Sequence, residues 1–169
     1  MRIHFWGVRG SIPTPISPEQ IQNKIAAVIE RIKPSDLESE DSKTRFLAGL
    51  PAWLFGTVGG NTACVELRAQ NGERFILDCG SGIRELALHS DPPLDNHYNI
   101  LMSHFHWDHI QGMPFFSPVF NPVTKIDFYS NYPNMEDYMS KQNACPFFPE
   151  NASWEHIKER FKFHLINEG

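Results

Sequence analysis

The sequence predicts an α/β (α+β) fold in which short strands alternate with helices and loops. Two observations carry that expectation. Residues 63–69 and 74–78 read as strands joined by an Asn71-Gly72 hairpin turn, and Tyr98–Ser103 is a mostly apolar strand leading into a helix. Ile21, Ile25, Val28, Ile29 and Ile32 recur at helical spacing behind Ser17, Pro18 and Gln20, the residue types that favour the N-cap, N1 and N3 positions. A chain of 169 residues has room for one domain with a real core.

The elements follow in order. Met1–Gly7 reads as a strand, and Gly10, Pro13 and Pro15 break it into a loop. The helix over 17–33 leads into a polar stretch, Pro34–Lys43, carrying Asp36, Glu38, Glu40 and Asp41, then a second short helix to about Leu47 before Pro51. Residues 17–55 therefore look like a helical insertion, and the apolar stripe of the first helix should be buried on the sheet or on a partner subunit. After the 63–78 meander, Gly80 and Gly82 make a turn, and Ile83–His89 is a short helix. Downstream of Ser103 the expectation is a helix over 108–116, a strand over 124–129, helices over 134–140 and 153–159, and a strand over 161–166.

With 41% apolar and 21% charged residues, disordered and fibrous classes are disfavoured. A net charge of −5 without a run of Lys and Arg gives no support to extended nucleic-acid binding. The N-terminus lacks a signal-peptide pattern and no stretch reaches membrane-spanning length, so a cytoplasmic location is expected. Cys64, Cys79 and Cys145 have no CxxC spacing and read as small buried hydrophobes.

The chemistry concentrates in Ser103–Gly112, SHFHWDHIQG, which holds the pattern HxHxDH at a strand-to-helix junction. In extended backbone, residues two apart point the same way, so His104 and His106 can present imidazoles to one ion. A turn into the helix directs Asp108 and His109 toward a second ion. Imidazole and carboxylate suit Zn²⁺, with Mn²⁺ and Fe²⁺ as competitors, so two divalent ions are expected and their identity stays open. His4, His89, His97, His156 and His164 lack such company and read as surface or packing residues.

SHFHWDHIQG resembles the signature of the metallo-β-lactamase fold. GVRGSIPTP, GGNTACVEL and FILDCGSGIREL are similar to the opening strands of that superfamily's phosphodiesterase and tRNA 3′-endonuclease branches. The resemblance implies the N-terminal half of a four-layer αββα sandwich, extending over nearly the whole chain except residues 17–55. It implies that Asp78 supports the ligand loop rather than the ion, and that Asp108 both binds the second ion and orients the attacking water. Redox relatives with a di-iron centre usually carry a carboxylate where His106 stands, which disfavours oxygen or nitric-oxide chemistry.

Two protein ligands per ion fall short of the three that a catalytic zinc normally has. In the resembled family the remaining ligands come from the second half of the fold, beyond Gly169. Asp127 and Asp137 come too early to serve as the bridging carboxylate. The expectation is that residues 1–169 are the N-terminal part of one domain, inactive alone and completed by further chain or by a second chain, with a homo-oligomer allowed. The function implied is a metal-dependent phosphodiesterase using metal-activated water on a cyclic nucleotide or other small phosphodiester. The alternatives are a tRNA 3′-processing endonuclease and, from another class, a non-catalytic metal-binding sensor or interaction module.

Overall fold

The computed structural model describes residues 1–56 and 60–167. Gly59 of GGNTACVEL and the Glu168–Gly169 end of the chain, from which the expectation of missing ligands starts, lie outside the described residues.

β1 (Arg2–Gly7) is followed by α1 (Pro18–Ile29), a 3₁₀ turn at Pro34–Leu37, α2 (Glu40–Gly49) and α3 (Ala52–Phe55). The start of α1 is as expected: Gln20 N–H donates to Ser17 Oγ, and the Gln20 side chain accepts from the Ser17 N–H at 3.0 Å. α2 begins inside the polar Pro34–Lys43 stretch, where Ser39 and Ser42 form a second reciprocal cap.

The apolar stripe of α1 corrects one expectation. Ile21, Ile25 and Ile29 are 48%, 54% and 64% exposed, Val28 and Ile32 are half-buried, and α1 buries no residue. The helix contacts α3 instead, with Lys24 Nζ donating to the Trp53 carbonyl at 2.9 Å. Of the two coverings expected for this stripe, the sheet is excluded within one chain.

β2 (Cys64–Arg68) and β3 (Arg74–Leu77) form the expected meander, with Gly72 at φ 90°, a left-handed turn conformation glycine adopts without strain. α4 (Gly82–His89), β4 (His97–Leu101), α5 (Trp107–Ile110), β5 (Lys125–Ser130), α6 (Met135–Gln142), α7 (Trp154–Ile157) and β6 (Phe161–Leu165) complete the order. The helix expected over 108–116 stops at Ile110 and resumes as a 3₁₀ turn at Met113–Phe115, where Gly112 and Pro114 interrupt it.

The strands form one six-stranded sheet in sequence order. β1, β2 and β3 are antiparallel and β3 to β6 parallel, the two parts joined where Phe75, Ile76 and Leu77 pair with Asn99, Ile100 and Leu101. Parallel neighbours need long crossovers, and α4, α5 and the α6–α7 segment lie in those connections. The pleat sorts the residues by face. Ile76, Tyr98, Ile100, Ile126 and Phe128 are buried with Ile83, Leu86, Met113 and Met139 of the intervening segments. Their strand neighbours Phe75, Leu77, Leu101 and Tyr129 are only half-buried, and Ile3 and Phe5 are exposed. This is an α/β arrangement of one sheet with its main core on one face.

A carboxylate is buried within the sheet. Glu66 is 1% exposed and accepts from Trp6 Nε1 at 3.2 Å and Arg68 Nε at 2.9 Å, with Arg74 at 3.6 Å. Buried carboxylates persist only when paired in this way. Cys64 and Cys79 are fully buried as expected, and burial raises both thiols above their usual range; Cys145 is exposed.

Candidate metal centre

The site is built where β3 and β4 end side by side. Asp78 follows β3 at φ 61°, a left-handed conformation that Asp tolerates better than most residues, and its N–H donates to the Leu101 carbonyl at 3.0 Å. Its carboxylate is thereby aimed at the loop after β4. Oδ1 accepts the Ser103 N–H at 2.8 Å, both oxygens lie within 2.9 Å of Ser103 Oγ, and Oδ2 lies 2.9 Å from His109 Nδ1. Asp78 thus holds both ends of the His104–His109 segment.

Close backbone packing fixes the same segment from beneath. Cys79 N–H donates to the His109 carbonyl at 2.7 Å, and Gly112 N–H donates back to the Cys79 carbonyl at 2.9 Å. A Cβ on Gly112 would lie 2.0 Å from the Gly80 carbonyl oxygen, so only glycine allows the two loops to meet.

The structure brings the four predicted residues together. His106 caps α5, while Asp108 and His109 lie in its single turn. The His104 ring centroid lies 4.5 Å from that of His106 and 4.0 Å from that of His109, and His109 Nε2 is 3.6 Å from Asp108 Oδ2. The Nδ1 atoms of His109 and His104 face Asp78 and Ser103 Oγ, respectively, which leaves each Nε2 free to meet an ion. This donor set fits a divalent cation. Among the described residues, however, no three His, Cys, Asp or Glu side chains are arranged to hold one ion between them.

Sequence reasoning missed three features. Ser11, at φ 68°, brings its backbone N–H to 2.9 Å from Asp108 Oδ2, and this bond, followed by nearby His109 and His104, holds the Asp108 carboxyl below its usual range. A backbone donor has no residue-type signal. Away from the site, His97 Nε2 and His164 Nε2 each lie 2.5 Å from Asp127, although both histidines read as isolated. Burial works to raise the Asp127 carboxyl, but hydrogen bonds from His164 and His97 outweigh it and hold the group below its usual range. Their pairing depends on β4, β5 and β6 lying side by side in register. Third, a cleft of about 900 Å³ opens beside His104 and His106, walled by Phe105, Trp107, Tyr132 and Tyr138.

The profile of the family described as "Anti-Pycsar protein Apyc1" matches residues 61–169, well over half of the chain. The chain belongs to that family. The match contains the Asp78 turn and the whole His104–His109 segment, and it leaves β1, GVRGSIPTP and the helices of 17–55 outside. Among curated proteins, the chain is 29% identical to Ribonuclease Z of Nostoc punctiforme over 113 residues, 64% of this chain and 33% of the relative. It is 31% identical to Ribonuclease Z of a Picosynechococcus species over 113 residues, with the same coverage, and 30% identical to that of Crocosphaera subtropica over 115. These matches span about a third of each relative's length and support the metallo-β-lactamase superfamily. No solved structure matches the chain. Among the described residues no helix is long and apolar enough to cross a membrane.

Proposed function

We propose that this chain contributes half of the active site of a metal-dependent phosphodiesterase acting on a cyclic nucleotide or other small phosphodiester. The observation that carries the reading is the convergence of His104, His106 and His109, with Asp108 beside them and Asp78 behind. His104 and His106 would hold one divalent ion, Asp108 and His109 a second. Bound there, Zn²⁺, Mn²⁺ or Fe²⁺ supplies Lewis acidity and acidifies water for attack near neutral pH.

The residues themselves do the positioning. Asp78 fixes the His109 ring through Nδ1 and the Ser103 backbone through its N–H, so His109 would meet its ion already oriented. The Ser11 amide holds the Asp108 carboxyl below its usual range and anchors Oδ2, and the carboxylate would orient the attacking water. Water adds to phosphorus, the P–O bond to the leaving oxygen breaks, and the proton lost by the water ends on that oxygen to give the alcohol. Small phosphodiesters are favoured over long nucleic acids because the chain is acidic and has no basic track.

The similarity to proteins named Ribonuclease Z favours a second reading, tRNA 3′-end processing. One panel separates the two. Protein of natural length is assayed on bis(p-nitrophenyl) phosphate, a 3′,5′-cyclic nucleotide and a tRNA precursor, with Zn²⁺ or Mn²⁺ and then with a chelator. Chelator-sensitive cleavage of the first two supports the phosphodiesterase, and cleavage of the precursor alone supports the endonuclease. Protein that binds two ions tightly and cleaves none of the three sinks both and leaves a metal-binding sensor.

A further inference from the structure

A second cleft, of about 320 Å³, lies between the loop after β1 and the helices of 17–55. Arg9, Thr14, Gln20, Asn23, Lys24 and Trp53 line it, and among the described lining residues none is Asp or Glu. A chain with a net charge of −5 thus carries a concave surface with two cations and no carboxylate.

Backbone hydrogen bonds hold the walls in place. Arg9 N–H donates to the Asn61 carbonyl at 2.8 Å and Thr14 N–H to the Gly60 carbonyl at 2.8 Å, so the loop is pinned at both ends. On the opposite wall the Lys24 ammonium donates to the Trp53 carbonyl at 2.9 Å and to the Gly56 carbonyl. Carbonyl oxygens fix an ammonium without neutralising it, so the charge of Lys24 remains at the wall. Gln20 accepts the Ser17 N–H at 3.0 Å through its amide oxygen, which leaves its NH2 group as a donor, and Asn23 adds a second amide.

This donor-rich wall selects a charge class. A metal ion would meet two cations, and a neutral sugar would leave both charges without a partner. A phosphate monoester carries about −1.5 to −2 at pH 7, which balances both, and its oxygens match the guanidinium fork. Trp53, 54% exposed beside these donors, offers an apolar face for the organic part of such a molecule. The volume lies at the small end of the range for ligand pockets, which fits a small molecule better than a polymer.

We propose that this cleft binds a phosphorylated small molecule, its phosphate held by Arg9 and Lys24 and its organic part against Trp53. The cleft shares no lining residue with the candidate metal centre, so the proposal stands whether or not the phosphodiesterase reading holds. Arg9, Lys24 and Trp53 all precede residue 61 and lie outside the stretch that the family profile matches.

Calorimetric titration of the metal-free, natural-length protein tests it, with phenyl phosphate, inorganic phosphate, phenol and a hexauridylate RNA as probes. The expected result is one phenyl phosphate per chain, bound about tenfold or more tightly than phenol. Arg9→Gln should weaken phenyl phosphate by roughly ten- to a hundredfold, the scale of charge-assisted hydrogen bonds, and Arg9→Lys by less. Arg9 is exposed, so these changes should preserve the fold. Trp53→Ala should remove the preference for phenyl phosphate over inorganic phosphate, while His104→Ala, at the metal centre, should leave binding unchanged. Absence of phenyl phosphate binding, phenol bound as tightly, Arg9→Gln protein that binds like wild type, or a ring preference retained in Trp53→Ala overturns the proposal. Loss of binding in His104→Ala overturns it too, because the anion then sits at the metal centre. Hexauridylate bound more than about tenfold tighter than phenyl phosphate assigns the cleft to a polymer and has the same consequence.

Discussion

Asp78→Ala removes a carboxylate that contacts neither the proposed ions nor the substrate, yet the change should reach the metal. Its oxygens hold the Ser103 N–H at 2.8 Å, Ser103 Oγ at 2.8 and 2.9 Å, and His109 Nδ1 at 2.9 Å. Each hydrogen bond to a charged group contributes about 1.5–3 kcal/mol where water is excluded. The Asp78 and His109 side chains are 12% and 19% exposed, so water replaces part of what is lost, and about 2–3 kcal/mol of destabilisation is expected. For a domain of this size that lowers Tm by roughly 4–12 °C. The metal effect is separate: freed from Asp78, the His109 ring loses its fixed orientation, and affinity should fall about ten- to a hundredfold. Zn²⁺ competition against a chromophoric chelator reads the affinity, with a thermal melt of the metal-free protein alongside. Asp78→Asn, which keeps an acceptor for the Ser103 N–H and loses the charge, should fall between. A Zn²⁺ affinity within threefold of wild type in folded Asp78→Ala protein would refute the argument that this carboxylate orients His109.

Three further outcomes follow from the geometry. Gly112→Ala forces a Cβ to within 2.0 Å of the Gly80 carbonyl and should destabilise by about 3 kcal/mol or more, read as a fall in denaturant midpoint; a midpoint within error of wild type would contradict the close approach of the two loops. The Asp127 carboxyl lies below its usual range when folded, so its contribution is present above the unfolded value of about 3.9 and is lost as pH falls through the folded value. Asp127→Asn should therefore be less stable than wild type at pH 6, with the gap narrowing below about pH 4 in urea unfolding series; a gap that is constant with pH removes the ion-pair account. Ile25→Lys, on the exposed stripe of α1, should change the stability of the isolated chain by less than about 0.5 kcal/mol, and a loss above 2 kcal/mol would mean that the stripe is buried after all.

The sequence by itself determined the local elements and the identity of the candidate site. A capping box, an Asn-Gly turn and helical or alternating spacing act within a few residues, so Ser17, Gln20 and Asn71-Gly72 were readable one segment at a time. HxHxDH was readable for the same reason: its donors lie within six residues, and a strand end brings them together. Tertiary structure decided what depends on contacts between distant segments. The stripe of α1 looked destined for the sheet or for a partner subunit, because periodicity reports which residues share a face and carries no information about what covers that face. His97, Asp127 and His164 looked unrelated until three strands set them in register, and Ser11 reached Asp108 across 97 residues through a backbone N–H that any residue but proline carries. The cleft likewise draws aromatic rings from the loop after β4, the segment after β5 and α6. Such surfaces depend on how elements pack, and packing is a sum of many weak contacts between residues far apart in the chain.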